Sequence, residues 1–286
     1  MSELDPRLHP FRDDLAAAHL EGRVEAARFV EGERRQLRKG IADLHRAPDS
    51  NAPLDSQLLF GEEVDVYDEA DGWAWVQSSS DGYVGYLRSE ALRAEVHAPT
   101  HGLTALRSYL FPEPDFKAPP LDLLSMSSPL AVVESRDGFC HLAGGGWVHA
   151  RHLAPLDQVE PDYVETALAF LGTPYYWGGR SSIGLDCSAL VQIVLARAGI
   201  FALRDTHMQE EVLGEPVAAG KAPRRGDLIF LPEHVAIALD AETVVHANAL
   251  NMAVTTESLA ELEARAVATE GRGITAVRRP VPPAGR

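Results

Sequence analysis

The sequence predicts an α+β chain, with small β-barrels in its first half and a helix packed on an antiparallel sheet in its second. Three observations predict it. Short alternating apolar segments separated by Gly- and Asp-bearing turns occur twice, from Asp71 to Leu92 and from Asp137 to Leu153. An apolar pattern of 3.6-residue period starts at Cys187 and runs through Leu190, Val191, Val194, Leu195 and Ala198. Two alternating segments then follow, His234–Leu239 and Val244–Ala247, separated by a short polar turn.

Residues 1–38 carry no single pattern; Leu15 to Leu37 mixes helical and strand-like signals. The two related segments divide the next stretch into residues 39–97 and 98–156. In the first, Asp71-Gly72-Trp73-Ala74-Trp75-Val76 precedes Gly82-Tyr83-Val84-Gly85-Tyr86-Leu87. In the second, Asp137-Gly138-Phe139-Cys140-His141-Leu142 precedes Gly146-Trp147-Val148. A proline-bearing polar loop lies upstream of each, which suits a weak internal repeat of two small barrels. Residues 157–286 form the remaining domain.

The helix has a start and a stop in its own sequence. Asp186 is a good N-cap residue, and Gly199 stands where a left-handed residue would end the helix. Cys187 therefore falls in the first turn, where unsatisfied N–H groups and the macrodipole favour a thiolate. The same N–H groups could stabilise a tetrahedral oxyanion. In the hairpin, Val235, Ile237 and Leu239 are expected to pack into a core while His234, Ala236 and Ala238 face the other side. With Asp240-Ala241-Glu242 as a three-residue loop, His246 shares the face of His234. A two-residue loop would put the histidines on opposite faces. A thiol, an imidazole and a second polar group that orients it make the constellation of nucleophilic catalysis. Cys140 reads as a buried small hydrophobe.

Composition bounds the partners. The formal net charge is −16, with 26 Lys and Arg against 42 Asp and Glu, which argues against nucleic acid. No apolar run is long enough to span a bilayer, so no membrane partner is expected. Met1-Ser2-Glu3-Leu4-Asp5-Pro6 lacks the basic and apolar regions of a signal peptide, and a cytoplasmic location is expected. Cys187, His234 and His246 lack the spacing of a zinc cluster, so neither metal nor cofactor is expected.

Residues 160–255 resemble the NlpC family of papain-like cysteine peptidases, which act on bacterial cell-wall peptides. The resemblance rests on Tyr175-Tyr176-Trp177-Gly178-Gly179, Asp186-Cys187-Ser188, Gly226-Asp227-Leu228 and His234-Val235. Ala189 departs from the glycine usual in the family. The resemblance implies Cys187 as nucleophile, His234 as general base and acid, and His246 as the residue orienting it. It further implies that Tyr175 directs its hydroxyl near the oxyanion. The two upstream segments resemble bacterial SH3 domains; the second keeps the closing Gly146-Trp147-Val148, the first has Gly85-Tyr86-Leu87.

This combination resembles the γ-D-glutamyl-L-diamino-acid endopeptidases of cell-wall peptide recycling. That implies a murein tripeptide or tetrapeptide with a free N-terminal L-Ala as substrate. It also implies that Glu62 or its neighbour Glu63, Tyr83, Asp186 and Ser188 surround the substrate amine. The alternatives are an exported hydrolase of intact wall and a non-catalytic binding protein. The presence of both Cys187 and His234 opposes the latter. An acyltransferase on the permuted scaffold would place histidine before cysteine, which this chain does not.

Overall fold

The structure is a computed structural model that describes residues 4–218 and 220–281. The chain forms two compact units that divide between Leu156 and Asp157.

In the first unit a seven-stranded antiparallel sheet runs in the order Leu54–Leu59, Ile41–His45, Val84–Arg88, Trp73–Ser78, Glu63–Ala70, Glu33–Leu37, Leu92–Arg93. Its central hairpin turns through Asp71 and Gly72, at φ 53° and 77°, with Ala70 opposite Trp73. The second segment repeats this with Asp137 and Gly138, at φ 51° and 79°, between Arg136 and Phe139. Two central residues in left-handed conformation define the turn whose twist matches a tight hairpin, which is why Asp-Gly recurs.

The boundary expected at residue 38 needs correction. Glu33–Leu37 is a strand of this sheet, paired with residues 63–66 on one side and 92–93 on the other. Its alternation is masked in the sequence by charge. Gln36 and Leu37 are buried, whereas Arg34 pairs with Glu63 and Asp65, and Arg35 with Glu33 and Glu69.

Residues 98–156 form three small sheets. Leu103, Leu110, Leu124, Leu130, Leu142 and Val148 gather in one apolar cluster that also takes in Phe60 from the preceding sheet. The two halves of this unit therefore share a core. Gly61, at φ 83°, lies where they meet, and a Cβ there would stand 1.9 Å from the Pro129 carbonyl oxygen.

The second unit is built on a six-stranded sheet in the order Glu215–Pro216, Ala276–Arg279, Leu228–Leu231, His234–Ala238, Thr243–Asn248, Ala253–Ser258. Helix α1 (Tyr163–Ala169) packs on α2 (Cys187–Arg197), and α2 packs on the two adjacent strands that bear the histidines. Helix α3 (Thr206–Val212) follows α2, and α4 (Leu259–Glu270) ends at Gly271 in a left-handed cap. Leu259 and Leu262 of α4 cover Ile229, Leu231, Ala236, Ala238 and Val244. The small residues Ala236 and Ala238 thus face a second apolar layer, and both faces of the strand are buried, not only that of Val235 and Ile237. Among the described residues no helix is long and apolar enough to cross a membrane.

Gly61→Ala combines a left-handed backbone with a backbone clash. It should destabilise the first unit by roughly 1–3 kcal/mol, read as a lower denaturation midpoint.

Candidate active site

Helix α2 begins where the sequence places it. Asp186 is the N-cap and its carboxylate accepts the Ala189 N–H, so Cys187 is the first helical residue. Its thiol is buried and free. The sulfur meets the main chain of Val235 and Ser188, and the Thr206 hydroxyl lies 3.7 Å away. Val235 directly follows His234, so the nucleophile and the strand carrying the base come together at this point.

His234 opens its strand after a two-residue turn in which Glu233 takes φ 55°. The hairpin to the next strand pairs Ile237 with Val245 and Ala238 with Val244, and the Leu239 N–H donates to Thr243 O. The loop is thus residues 240–242, held by Asp240, whose side chain accepts the N–H groups of Glu242 and Thr243. This register puts residues 234 and 246 on one face. Their rings meet at 2.7 Å between His234 Nε2 and His246 Nδ1. His246 is buried, and its Nε2 lies 3.1 Å from Asn248 Nδ2 and 3.4 Å from Glu257 Oε1.

Tyr175 is half-buried and fixed by its main chain, which donates to Met252 O and bridges to Leu185. Burial, reinforced by the nearby charges of Cys187 and Asp186, pushes its hydroxyl pKa up. It therefore stays a proton-bearing donor beside the thiol.

The electrostatics differ from those expected of a helix start. Burial, then the charge of Asp186, raises the Cys187 pKa to about 11, outweighing the opposing contacts of Val235, Thr206 and Ser188. The carboxylate that caps the helix sets its own negative charge against the dipole. His234 is lowered to about 4 by burial and then by the charge of Arg265. His246 is lowered to about 3 by burial, His234 and Arg265. Burial thus favours the neutral thiol and the neutral imidazole.

Asp186, expected beside a substrate amine, is also held from within the protein. Its oxygens accept from Gly178 N, Ala189 N and Ser188 Oγ. Buried Arg204 grips both oxygens at 2.9 and 2.6 Å, and its Nη1 also donates to Ser188 Oγ. Asp186 and Ser188 are thus engaged inside the protein, where a buried charge needs a partner of its own. Glu62 and Tyr83 belong to the first unit. Both are buried; Glu62 accepts the Leu59 N–H in its own turn, and Glu63 pairs with Arg34. Within the second unit, Arg204, Thr206, Asn248, Glu257 and Arg265 surround the catalytic groups, and the sequence motifs did not point to them.

Comparison with known proteins places these features. Residues 44–92 match the bacterial dipeptidyl-peptidase SH3 domain, and residues 172–269 match the NlpC/P60 family. The chain is 28% identical over 247 residues to dipeptidyl-peptidase 6 of Lysinibacillus sphaericus, covering 77% of this chain and 90% of that protein. It is 28% identical over 196 residues to the γ-D-glutamyl-L-lysine dipeptidyl-peptidase of Bacillus subtilis, covering 62% and 64% respectively. A solved NlpC/P60 family protein from Bacillus cereus shares the fold, with a TM-score of 0.73 at 21% identity over 87% of this chain and 100% of that one. An NlpC/P60 endopeptidase from Photobacterium damselae superposes with a TM-score of 0.60 at 13% identity, over 87% of this chain and 72% of that one. The chain carries an NlpC/P60 cysteine peptidase domain with a bacterial SH3 domain ahead of it.

Two predictions follow from this geometry. Arg204→Met leaves the buried Asp186 carboxyl without its arginine, and should cost about 3–5 kcal/mol of stability, measured by urea denaturation. The histidines fold with pKa values of about 4 and about 3, below their ordinary 6.5. Between these limits the unfolded chain binds more protons than the folded one. Their contribution is complete above pH 6.5 and lost as pH falls toward 4. The melting temperature should drop across that window, and less steeply in His246→Gln.

Proposed function

We propose that this protein hydrolyses the bond between D-glutamate and the diamino acid in short murein peptides that carry a free N-terminal L-Ala. The observation that carries this reading is the match of residues 44–92 to a domain described from dipeptidyl-peptidases, together with two relatives named γ-D-glutamyl-L-lysine dipeptidyl-peptidase. A dipeptidyl-peptidase counts residues from the N-terminus, so the substrate amine must be free. A soluble peptide of this kind suits a recycling role in the cytoplasm.

The residues assign the steps as follows. His234 Nε2 is taken up by His246 at 2.7 Å, so the nitrogen left to receive the thiol proton is Nδ1. The proton passes to Nδ1 as the sulfur attacks the γ-carbonyl carbon of D-glutamate. The Tyr175 hydroxyl donates toward the oxyanion that forms. The imidazolium then protonates the leaving amine of the diamino acid, the C–N bond breaks, and a thioester remains. Water, deprotonated by His234, attacks the thioester and releases the dipeptide and the free thiol. His246 supports the imidazolium that forms in each half-reaction.

Cys187→Ala should abolish product formation from L-Ala-γ-D-Glu-diaminopimelate, measured by mass spectrometry, because no acyl-enzyme can form. N-acetylation of the same peptide should lower kcat/KM by about tenfold or more, equivalent to ~1.4 kcal/mol or more. Equal values for the two peptides, or ready digestion of intact sacculi, would instead identify a hydrolase of polymeric wall.

A further inference from the structure

We infer that Glu257 is a positioning residue that selects, through His246, the tautomer in which His234 can accept the Cys187 proton. The inference rests on the thiol-peptidase reading above and concerns how its base is set.

A neutral imidazole has one N–H and one bare nitrogen, and each hydrogen bond it makes fixes which is which. The contact between His234 Nε2 and His246 Nδ1 admits two arrangements. In one, His246 Nδ1 holds the proton and donates it to His234 Nε2. His234 then carries its own proton on Nδ1 and cannot act as a base there. In the other, His234 Nε2–H donates to a bare His246 Nδ1, and His234 Nδ1 is free to receive the thiol proton. The choice is made at the far nitrogen, His246 Nε2.

Two groups face that nitrogen. Asn248 cannot turn its oxygen toward it, because Oδ1 accepts the Asn251 N–H at 2.8 Å and Asn251 Nδ2 at 3.3 Å. Asn248 therefore presents its Nδ2, a donor, 3.1 Å from His246 Nε2. A donation there would favour the blocked arrangement. Asn248 Nδ2 has other acceptors for its two protons, Thr255 Oγ1 at 2.8 Å and Ala253 O at 3.4 Å. The second group is Glu257, whose Oε1 lies 3.4 Å from His246 Nε2. A carboxylate accepts only, so it calls for a proton on Nε2 and sets the productive arrangement along the whole line.

The fold holds Glu257 for this. Its strand, Ala253–Ser258, pairs with the His246 strand in a register that sets Val244 opposite Glu257 and His246 opposite Thr255. Glu257 thus shares the face of both histidines, one pair along. Arg265, one turn into α4, binds both of its carboxylate oxygens, with Nη1 at 3.0 Å from Oε2. That ion pair fixes the carboxylate and cancels much of its charge.

The test uses the full-length protein labelled with 15N, in which two-bond 1H–15N correlations identify the protonated nitrogen of each histidine ring. At pH 7 the parent should show His246 and His234 both protonated on Nε2. In Glu257→Gln the amide can donate to His246 Nε2, and both rings should switch to Nδ1–H. The same variant should lose roughly 10- to 100-fold in kcat with KM within about twofold, less than the loss caused by a wrong tautomer in a directly paired triad. Glu257→Gln combined with Arg265→Met should be no more active than Glu257→Gln alone, since the tautomer is still wrong. A parent His246 that is bare at Nε2 would overturn the inference without any variant being made. So would unchanged tautomers in Glu257→Gln, or recovery of kcat in the double variant, which would assign the loss to the charge of Arg265. The ring readout needs no substrate. Productive tautomers in a protein that leaves γ-D-glutamyl peptides intact would count against the substrate reading and not against this one.

Discussion

The grip of Arg204 on Asp186 is the contact on which the rest of the site depends. Asp186 ends the glycine-rich segment through Gly178 N–H and starts α2 through Ala189 N–H. Arg204 belongs to the loop that leads into α3, and its guanidinium, 1% exposed, meets both carboxylate oxygens. One buried pair thus joins the segment bearing Tyr175, the helix bearing Cys187 and the loop leading to Thr206. Removing water from two such charges is costly, and the fork geometry of Arg is what offsets it. The position of the nucleophile is set by this pair before any catalytic group is considered.

The same pairing recurs around the sheet. Asp227 receives Arg279 at 2.8 Å on each oxygen, just before the strand that precedes His234. Glu257 receives Arg265 beyond His246. Asp186, Asp227 and Glu257 each have an arginine of their own, which offsets much of their charge. Burial can then dominate, and it drives the thiol and both imidazoles toward their neutral forms.

Those parts of the site that rest on local chemistry could be read in the sequence. Asp-Gly marks both tight hairpins because few other dipeptides place two residues at positive φ. The N-cap, the 3.6-residue period and the terminal glycine bounded α2, and the three-residue loop brought the two histidines together by parity alone. What could not be read depends on distance in the chain. Arg204 follows Asp186 by 18 residues in a loop with no period, and Glu257 looks like one more polar residue on an alternating strand. Leu15 to Leu37 therefore read as a mixture of helical and strand-like signals, because the partners of Arg34 and Arg35 lie farther along the chain. The helix dipole at Cys187 and the carboxylate beside it were legible, but not the burial that outweighs the dipole.

A neutral resting pair changes what the surrounding groups must do. Where a thiolate–imidazolium pair already exists, the protein stabilises charge before substrate arrives. Here the charge appears only as the thiol proton moves and the carbonyl oxygen becomes an oxyanion. Fixed donors and acceptors aimed at those atoms then act in the transition state more than in the ground state, which is the condition for raising the rate. The Tyr175 hydroxyl, kept protonated by burial, and the His246–Glu257 line, aimed at His234, meet that condition at opposite ends of the developing charge. The neutrality of the resting site is therefore consistent with catalysis, because it leaves these oriented groups to be used where the barrier lies.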